Sequence, residues 1–414
     1  MHIYSMSHKI HKNVTFGQSE FHLLGTHWLV SMSKEEEPFL IAPVANSDEF
    51  YAYKIIFKPD SGGKEWQLDR SIIKTIPEEH RQFVVKYPAG SVNQNLVPQF
   101  LRNFTVLDSR SIGKMPKRDI FFDLLGPLLR EFGIHYVYVA TTSLDTLRSH
   151  ASSFTDTSTV TVIGGDTSLH EFVNALPPMQ NKSVRFVVIP AGSGNALANS
   201  LGTHTPIHAI QRLFLSGLEN FVPLMTFPVQ FPHITTQAIV VASWGLHSRL
   251  VADADTPEMR ERYEDATERF QVAARKNLDE IEQKYSSNNV LHSYLLFTCV
   301  SHLEESFNIS PLASPPLFDK LFRLRIGPYE TIAEQKTQLM KIMMSAYDDG
   351  KHIQNEEVEY DQVVGTAIIT VDDQPEPMRQ WCVDGKIVVC PPGQVKIGQP
   401  QPTFNGWKLL VLPG

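Results

Sequence analysis

Cysteine is scarce in this chain, whose 414 residues include only Cys299, Cys382 and Cys390. The three are scattered, so the sequence offers neither a disulfide framework nor the paired spacing of a zinc site. So few thiols are typical of a protein from a reducing compartment. We therefore expect a cytoplasmic protein.

Long hydrophobic runs are also absent. No uninterrupted apolar run approaches the roughly 20 residues that a membrane-spanning helix needs. The N-terminus lacks a basic segment followed by an apolar run, so the sequence predicts no signal peptide. Any contact with a membrane is therefore expected to be peripheral.

Positive charge is not in excess either. Lys and Arg total 37, Asp and Glu total 45, and the formal net charge is −8. This balance argues against a nucleic-acid binder that works by bulk charge, although a local basic patch stays possible. The 42% hydrophobic and 20% charged content is that of a globular protein long enough for two or three domains.

What the chain does contain is a pair of strand–turn–helix units, one directly after the other. The first has an apolar strand at 160–163, a small-residue turn at 164–168 and a helix to 176. The second has a strand at 184–189, a turn at 191–195 and a helix from 196. Such turns hold phosphate at helix N-termini in parallel sheets. Because the first turn carries Asp166, the pattern predicts a nucleotide site with acid–base or metal chemistry beside it.

The surrounding pattern alternates strands with helices from residue 101 onward, which predicts an α/β fold with a doubly wound parallel sheet. The other elements that we predict here are strands at 104–107 and 134–140 and helices at 117–131, 143–152 and 206–215. Residues 21–86 show short β-type runs, among them 83–86, and predict a small β-rich N-terminal module behind a polar tail at 1–19.

The C-terminal half reads differently, because short strand-like runs outnumber helices. We predict strands at 221–231, 238–243, 291–299, 321–326, 358–371, 381–383, 387–390 and 407–412, with helices at 257–284 and 331–347. This pattern favours an antiparallel β sandwich or barrel. The expected regions are 1–100 (N-terminal module), 101–217 (nucleotide-binding domain) and 218–414 (β-rich domain), with the site in the cleft between the last two.

Each candidate site residue also has an ordinary structural explanation. Gly192 and Gly194 let phosphate approach backbone N–H groups, but they also suit a tight turn without a ligand. A P-loop is excluded because Asn195 stands where lysine is needed, and Leu197 replaces the third small residue of a dinucleotide fingerprint. Asp166 could serve as a helix cap or as a carboxylate aimed at phosphate.

Four motifs in the same order resemble the diacylglycerol kinase and sphingoid-base kinase superfamily, over residue 101 to the C-terminus. The first two are GGDTSLHEFVN at 164–174 and PAGSGNALA at 190–198. The third is SWGL at 243–246 with ADAD at 252–255, RER at 260–262 and ERF at 268–270. The fourth is VEY at 358–360 with CVDG at 382–385. The second and third motifs are similar to those of sphingosine and ceramide kinases.

The resemblance implies a lipid kinase that transfers the ATP γ-phosphate to the hydroxyl of a sphingoid base or a diacylglycerol- or ceramide-like lipid. Asp166 would be the general base or a Mg²⁺-linked carboxylate, with Asp384 a second carboxylate acting on the metal through water. Asp255 would meet the lipid head group. The residues implied in nucleotide binding are Gly164, Gly165, Thr167, Ser168, Gly192, Ser193, Gly194, Asn195, Ser111, Thr141, Arg262 (with Arg260 as its competitor) and Arg269.

The implied partner is a lipid at a membrane surface, without nucleic acid, and a homodimer stays open. Some positions depart from the family pattern: Thr167 replaces a glycine, Ile112 replaces the glycine of an upstream phosphate loop, and Lys386 replaces a late acidic residue. They define the alternative function, a catalytically impaired relative that binds lipid or nucleotide as a regulatory module. A soluble kinase such as an NAD kinase is a weaker third reading, because the Trp-Gly and Arg-Phe blocks argue against it.

Overall fold

The computed structural model describes residues 14–16, 19–21, 37–57, 66–91, 93–110, 119–263, 266–279, 285–287, 290–316 and 318–414. The chain divides into two units, Met1–Met32 and Ser33–Gly414. In the first unit, strands β1 (Val14–Phe16) and β2 (Ser19–Phe21) pair antiparallel. Most of the predicted tail at 1–19 lies outside the described residues. Everything below concerns the second unit.

A three-stranded antiparallel sheet opens the second unit, as the sequence predicts for a β-rich module. Its strands are β3 (Leu40–Pro43), β4 (Phe50–Phe57) and β5 (Trp66–Ile73), in that spatial order. The strand predicted at 83–86 is wrong. A 3₁₀ helix covers Glu78–Phe83, and only a single bridge joins Val84 to Ile41.

The α/β region follows the predicted alternation. Its elements are β6 (Phe104–Asp108), α1 (Gly126–Glu131, after a π-helical turn at Phe121–Leu125), β7 (Tyr136–Ala140), α2 (Leu144–Ser152), β8 (Ser158–Gly164), α3 (Asp166–Asn174), β9 (Lys182–Pro190), α4 (Ala196–Ser200) and α5 (Pro206–Leu215). Side chains cap two of the helices, since Ser143 and Thr205 accept the N–H groups of Thr146 and His208. These caps explain why α2 and α5 begin where they do.

Strands β7, β6, β8 and β9 lie side by side and parallel. Alternate residues of β9 enter two different hydrophobic clusters: Val184, Phe186 and Val188 on one face, and Val187 and Ile189 on the other. Both faces of the sheet are therefore covered, as in doubly wound folds. Because β6 pairs with β7 on one side and β8 on the other, the strand order reverses beside β6, and such switch points host ligands at the strands' carboxyl ends.

The C-terminal half is β-rich, as predicted. Its elements are β10 (Val222–Pro223), β11 (Phe227–Gln230), β12 (Thr235–Ala238), β13 (Val241–Gly245), α6 (Leu246–Ala254), α7 (Pro257–Arg262), α8 (Ala266–Asp279), β14 (Tyr285–Ser287), β15 (Val290–His292), β16 (Tyr294–Thr298), β17 (His302–Glu304), β18 (Phe307–Asn308), β19 (Phe322–Ile326), α9 (Ile332–Ala346), β20 (Val358–Gln362), β21 (Ala367–Val371), β22 (Gln380–Val383), β23 (Lys386–Val389), β24 (Gly393–Ile397), β25 (Thr403–Phe404) and β26 (Trp407–Val411).

Two antiparallel sheets form the core of this half, in the strand orders β20-β19-β16-β13-β22-β23 and β12-β11-β24-β21. Aromatic side chains join them. Phe231, just after β11, packs edge-on against Trp381 of β22 at 5.8 Å between ring centroids, and Trp381 stacks on Trp244 of β13. These contacts confirm the predicted sandwich.

Several predictions for this half need correction. The strands predicted at 221–231, 238–243, 291–299 and 358–371 each run across two strands that lie in different sheets, because the apolar pattern continues through the residues that connect them; the pairs are β10 and β11, β12 and β13, β15 and β16, and β20 and β21. The helix predicted at 257–284 is two helices, α7 and α8, because the chain turns extended at Tyr263, and residues 280–284 lie outside the described part. The strand predicted at 407–412 belongs to the parallel sheet, where β26 runs parallel to β9. Its alternating burial would suit either sheet, so the pattern alone could not place it. Within the described ranges, each helix is too short or too polar to span a bilayer.

Candidate active site

The two glycine turns lie against each other at the carboxyl ends of the neighbouring strands β8 and β9. A Cβ atom on Gly192 would lie 2.4 Å from the Cα atom of Gly165, and one on Gly165 would lie 2.5 Å from the Gly194 carbonyl oxygen. Neither position leaves room for a side chain. Gly165 and Gly192 are therefore required by the packing of the turns themselves.

Gly194 differs from those two glycines. A Cβ atom there would meet only Asp166 Oδ2 at 3.6 Å, an ordinary contact, and the backbone is not left-handed. Gly194 and Ser193 are both exposed. The protein's own packing does not need a glycine at 194, so this is the open part of the turn, where a ligand can approach the backbone.

Other predicted residues of the turns serve the local fold. The side-chain amide of Asn195 donates to the Gly192 carbonyl at 2.9 Å and accepts from the Gly192 N–H at 3.1 Å. Ser168 is buried, and a Cβ atom on Gly164 would lie 3.1 Å from its hydroxyl and 2.2 Å from that of Ser109. Contacts within the protein thus hold both turns in place without a ligand, which favours preorganised binding.

Asp166 begins helix α3 and reaches across to helix α4. Its Oδ2 accepts the Ala196 N–H at 2.7 Å, and its Oδ1 accepts the Leu197 N–H at 3.1 Å. Burial raises the pKa of Asp166 to about 6, the charge of Asp384 adds to the rise, and the two amides oppose it. A half-buried carboxylate with this pKa is ionised at neutral pH yet more basic than usual, which suits a general base.

Thr167 points away from the glycine turns. Its hydroxyl donates to the Asp384 carbonyl oxygen at 2.9 Å, and a Cβ atom on Gly385 would lie 2.4 Å from the same hydroxyl. The hydroxyl proton is thereby committed to the turn between β22 and β23. A phosphate contact by Thr167 gains no support from this geometry.

Asp384 is fully buried and saturated with hydrogen bonds. Its carboxylate accepts the N–H groups of Ile239, Val240 and Val241, each at 2.8 Å, and lies 2.9 Å from His170 Nδ1. Four partners fill the lone-pair sites of one carboxylate. The predicted role of Asp384 on a metal therefore finds no support in this geometry. Among the described residues, no group of three or more acidic, His or Cys side chains could hold a metal ion.

Lys386 faces a buried acid. Its Nζ lies 3.1 Å from Glu171 Oε1, and Arg148 Nε donates to Glu171 Oε2 at 2.6 Å. Burial alone would raise the pKa of Glu171, but Arg148 and Lys386 outweigh it and lower the pKa. Sequence reasoning missed Arg148, His170 and Glu171 as site neighbours. The available signal was two polar residues, His170 and Glu171, between the apolar residues Leu169 and Phe172 of the predicted helix.

The ends of β6 and β7 carry the remaining phosphate-loop predictions. Thr141 is buried, and its N–H and hydroxyl both donate to the Asp108 carbonyl oxygen, at 2.8 and 3.1 Å. The Asp108 carboxylate forms an ion pair with Arg110, which also pairs with Asp119 at 3.0 Å. Ser111, like Ile112, lies outside the described residues. Thr141 and Ser111 as nucleotide ligands stay predictions.

The predicted head-group residue Asp255 follows helix α6. Its Oδ2 pairs with Arg260 at 2.7 Å, while its Oδ1 is a buried oxygen without a hydrogen-bond partner in the described part of the chain. Arg262 lies over the Tyr263 ring at 5.4 Å, and Arg269 donates to the Tyr263 carbonyl oxygen at 3.1 Å. Of the two competing arginines, Arg260 therefore pairs with Asp255 and Arg262 lies at Tyr263. The phosphate contacts of Arg262 and Arg269 stay predictions.

A further polar pair joins strand β13 to helix α6. Ser243 Oγ is 2.6 Å from His247 Nδ1, and Cys382 is the cross-strand neighbour of Ser243. Burial lowers the pKa of His247 to about 4, so the imidazole is neutral at physiological pH. Sequence reasoning missed this pair, because a lone His on a helix is usually a surface or core residue.

Comparisons with known proteins match the stretch that holds the two glycine turns. Residues 105–226 match the family model of the diacylglycerol kinase catalytic domain. This stretch holds both glycine turns and Asp166 but ends before Asp255 and Asp384. Over 146 residues the chain is 32% identical to sphingosine kinase B from Dictyostelium discoideum. That match covers 34% of this chain and 19% of the relative, so it spans about a fifth of the relative's length.

Solved structures extend the likeness beyond residues 105–226, to 76% of the chain. Two from Bacillus anthracis str. Sterne, named as diacylglycerol kinases, each superpose with a TM-score of 0.50. They are 13% and 12% identical, and each superposition covers 76% of this chain and 97% of the other. At such identity the likeness concerns the fold alone. It confirms the predicted architecture, in which an α/β domain is joined to an antiparallel β-rich one.

Proposed function

We propose that the chain, whose residues 105–226 match the diacylglycerol kinase catalytic domain, belongs to that superfamily and is a lipid kinase. It transfers the γ-phosphoryl group of ATP to a lipid hydroxyl. The observation that carries the proposal is the placement of Asp166. Its carboxylate lies where the two packed glycine turns meet, at the carboxyl edge of the parallel sheet, and its pKa is raised to about 6.

In this proposal the chain's own groups do two things: they hold the nucleotide phosphates and accept one proton. The nucleotide phosphates lie against the exposed backbone at Ser193 and Gly194, where the turn is open. Asp166 accepts the proton of the lipid hydroxyl as that oxygen bonds to the γ-phosphorus. The bond from the γ-phosphorus to the bridging oxygen breaks, and ADP leaves. Positioning and proton transfer are the main protein contributions to such reactions.

Mg²⁺ is the metal that the family implies, and Asp166 is the described residue that fits it. Each Asp166 oxygen accepts one amide bond and keeps further acceptor capacity, and the residue is only half-buried. Mg²⁺ is usually held by one or two carboxylates together with substrate phosphates. Bound in this way through water, it would neutralise phosphate charge. Asp384 has no acceptor left and is not included in the proposal.

A sphingoid base is the lipid class that we favour. The similar protein from Dictyostelium carries the name sphingosine kinase, and a sphingoid head group offers an amine and hydroxyls. The unpartnered Oδ1 of Asp255 is an acceptor for such donors. A diacylglycerol- or ceramide-like lipid is the next choice. The substrate would be met by peripheral contact of a cytoplasmic protein with a membrane surface, and a homodimer remains a prediction.

The experiment is phosphoryl transfer from γ-labelled ATP to lipids in mixed micelles. The panel contains sphingosine, ceramide and diacylglycerol, with and without Mg²⁺, and NAD as a soluble acceptor. We expect labelled sphingosine phosphate, lost in Asp166→Asn. Labelled NADP and no labelled lipid would refute the proposal in favour of a soluble kinase.

One observation favours the second candidate, a catalytically impaired relative. The Lys386–Glu171–Arg148 ion pairs replace the acidic environment of a metal site with a closed set of charges. Such a protein would bind ATP or lipid without transfer. Measurable ATP binding together with no labelled product across the panel would select it over the kinase.

A further inference from the structure

We infer that the turn Asp384–Gly385–Lys386, between β22 and β23, is the positioning element that holds helix α3, and with it Asp166, in register with the β-rich half. This inference rests on the proposed function, because it takes Asp166 as the base. It assigns the three residues a role in alignment rather than in metal binding.

The first step is the helix face. Thr167, His170 and Asn174 stand at positions i, i+3 and i+7 of α3 and so share one face. Thr167 donates to the Asp384 carbonyl, and His170 contacts the Asp384 carboxylate. Asn174 donates to the Gln237 carbonyl at 3.0 Å and accepts the Gln237 N–H at 2.8 Å. Every turn of the helix is thus fastened to the β-rich half.

The second step is the depth of the anchor. Asp384 has a left-handed backbone at φ 50°, and its carboxylate is fully enclosed by four partners from α3, the β12–β13 connection and the first residue of β13. A buried carboxylate with such a set of partners tolerates little displacement, because any broken bond leaves an unsatisfied charge. The turn is therefore fixed relative to both β13 and α3.

The third step is a separate set of ion pairs on a neighbouring face of the helix. Glu171 is buried and ion-paired with Lys386 from the turn and with Arg148 from α2. Lys386 takes the position where the family pattern has an acid. With an acid there, Glu171 would face a like charge, so the lysine is what allows the turn to hold α3 from this side.

The last step leads to the site. Asp166 is the first residue of the same nine-residue helix, and its carboxylate accepts the N–H groups of Ala196 and Leu197 on α4. Hydrogen bonds make α3 rigid along its length. A displacement at the 384–386 turn therefore reaches the Asp166 carboxylate, and the two amides on α4 report it.

The test uses the full chain with Thr167→Val, which removes the hydroxyl at nearly constant shape, and Thr167→Ser, which keeps it. Asp384→Asn is the second perturbation. Asp361→Asn, an exposed member of an ion pair on β20 of the same six-stranded sheet, is the control. The measurements are kcat with saturating ATP and sphingosine, ATP affinity by calorimetry, and hydrogen exchange at the Ala196 and Leu197 amides.

We expect Thr167→Val and Asp384→Asn to lower kcat at least tenfold, with ATP affinity within twofold, and to speed exchange at both amides at least tenfold. Thr167→Ser and Asp361→Asn should match the parent in both respects. Unchanged exchange and kcat in a folded Thr167→Val would overturn the inference, as would a fall in melting temperature alone. If the parent phosphorylates no lipid, the proposed function fails while the exchange measurement still decides the positioning role.

Discussion

Two glycines separated by a single residue offer a matched pair of substitutions, Gly192→Ala and Gly194→Ala. The Gly192 Cβ would stand 2.4 Å from Gly165 Cα and 2.6 Å from Gly165 N, both backbone atoms. Ordinary contact needs at least about 3.4 Å, so the turns must separate by about 1 Å. Overpacking of that kind costs typically about 1–3 kcal/mol, and because backbone has to move we expect the upper half of that range.

The Gly194 substitution should do the opposite. Its Cβ meets Asp166 Oδ2 at 3.6 Å, so no atom has to move. Stability should be unchanged or raised by up to about 1 kcal/mol, because alanine restricts the unfolded chain. If phosphate approaches this backbone, the added methyl should weaken ATP binding at least tenfold, or about 1.4 kcal/mol.

The assays are urea unfolding and ATP titration calorimetry on both variants and the parent. A Gly192→Ala variant that unfolds at the same urea concentration as the parent would contradict the close packing of the two turns. A Gly194→Ala variant that binds ATP as tightly as the parent would contradict the approach of phosphate to this backbone.

Three further predictions concern titration and charge. Folding raises the pKa of Asp166 from 3.8 to about 6, so the folded state holds this proton more tightly than the unfolded state. As pH rises from 4 to 7, the parent should therefore lose up to about 3 kcal/mol of unfolding free energy relative to Asp166→Asn. Folding lowers the pKa of His247 to about 4, so the folded state binds this proton less tightly than the unfolded state. The parent should therefore lose up to about 3 kcal/mol of unfolding free energy as pH falls from 6.5 to 4. The unfolding free energy of His247→Gln should change less over the same pH range. Lys386→Glu should lower the free energy of unfolding in urea by about 1–2 kcal/mol, because it places a second negative charge beside the buried Glu171. Lys386→Met should lower it less, because Arg148 still pairs with Glu171. Equal unfolding curves for the two variants would contradict this difference.

The sequence was informative where local pattern decides the structure. Apolar strands followed by small-residue turns placed β8, β9 and the turn carrying Asp166, because those signals lie within a few residues. The caps on α2 and α5 and the start of α5 at Pro206 are local in the same way. The predicted parallel sheet and β sandwich followed from the order of such elements.

Long-range pairing was not accessible in this way. The strand β26 joins β9 across more than two hundred residues, and its alternation of buried and exposed residues fits either sheet. The motif predicts that Thr167 binds nucleotide together with its neighbours on the glycine turn. Its hydroxyl instead donates to the carbonyl oxygen of Asp384, 217 positions along the chain. A motif names the residues of a site, but whether a side chain faces the ligand or the protein depends on what packs behind it.

The most direct measurement is the rate of phosphoryl transfer from ATP to sphingosine by the parent and by Asp166→Asn, followed from pH 5 to 8. The parent rate should rise with pH and level off above about 6, as the Asp166 carboxyl loses its proton. Asp166→Asn should lower the rate by about 10²- to 10⁴-fold, the usual contribution of a general base, with ATP still bound. An Asp166→Asn variant that transfers phosphate as fast as the parent would contradict the role of Asp166 as the base.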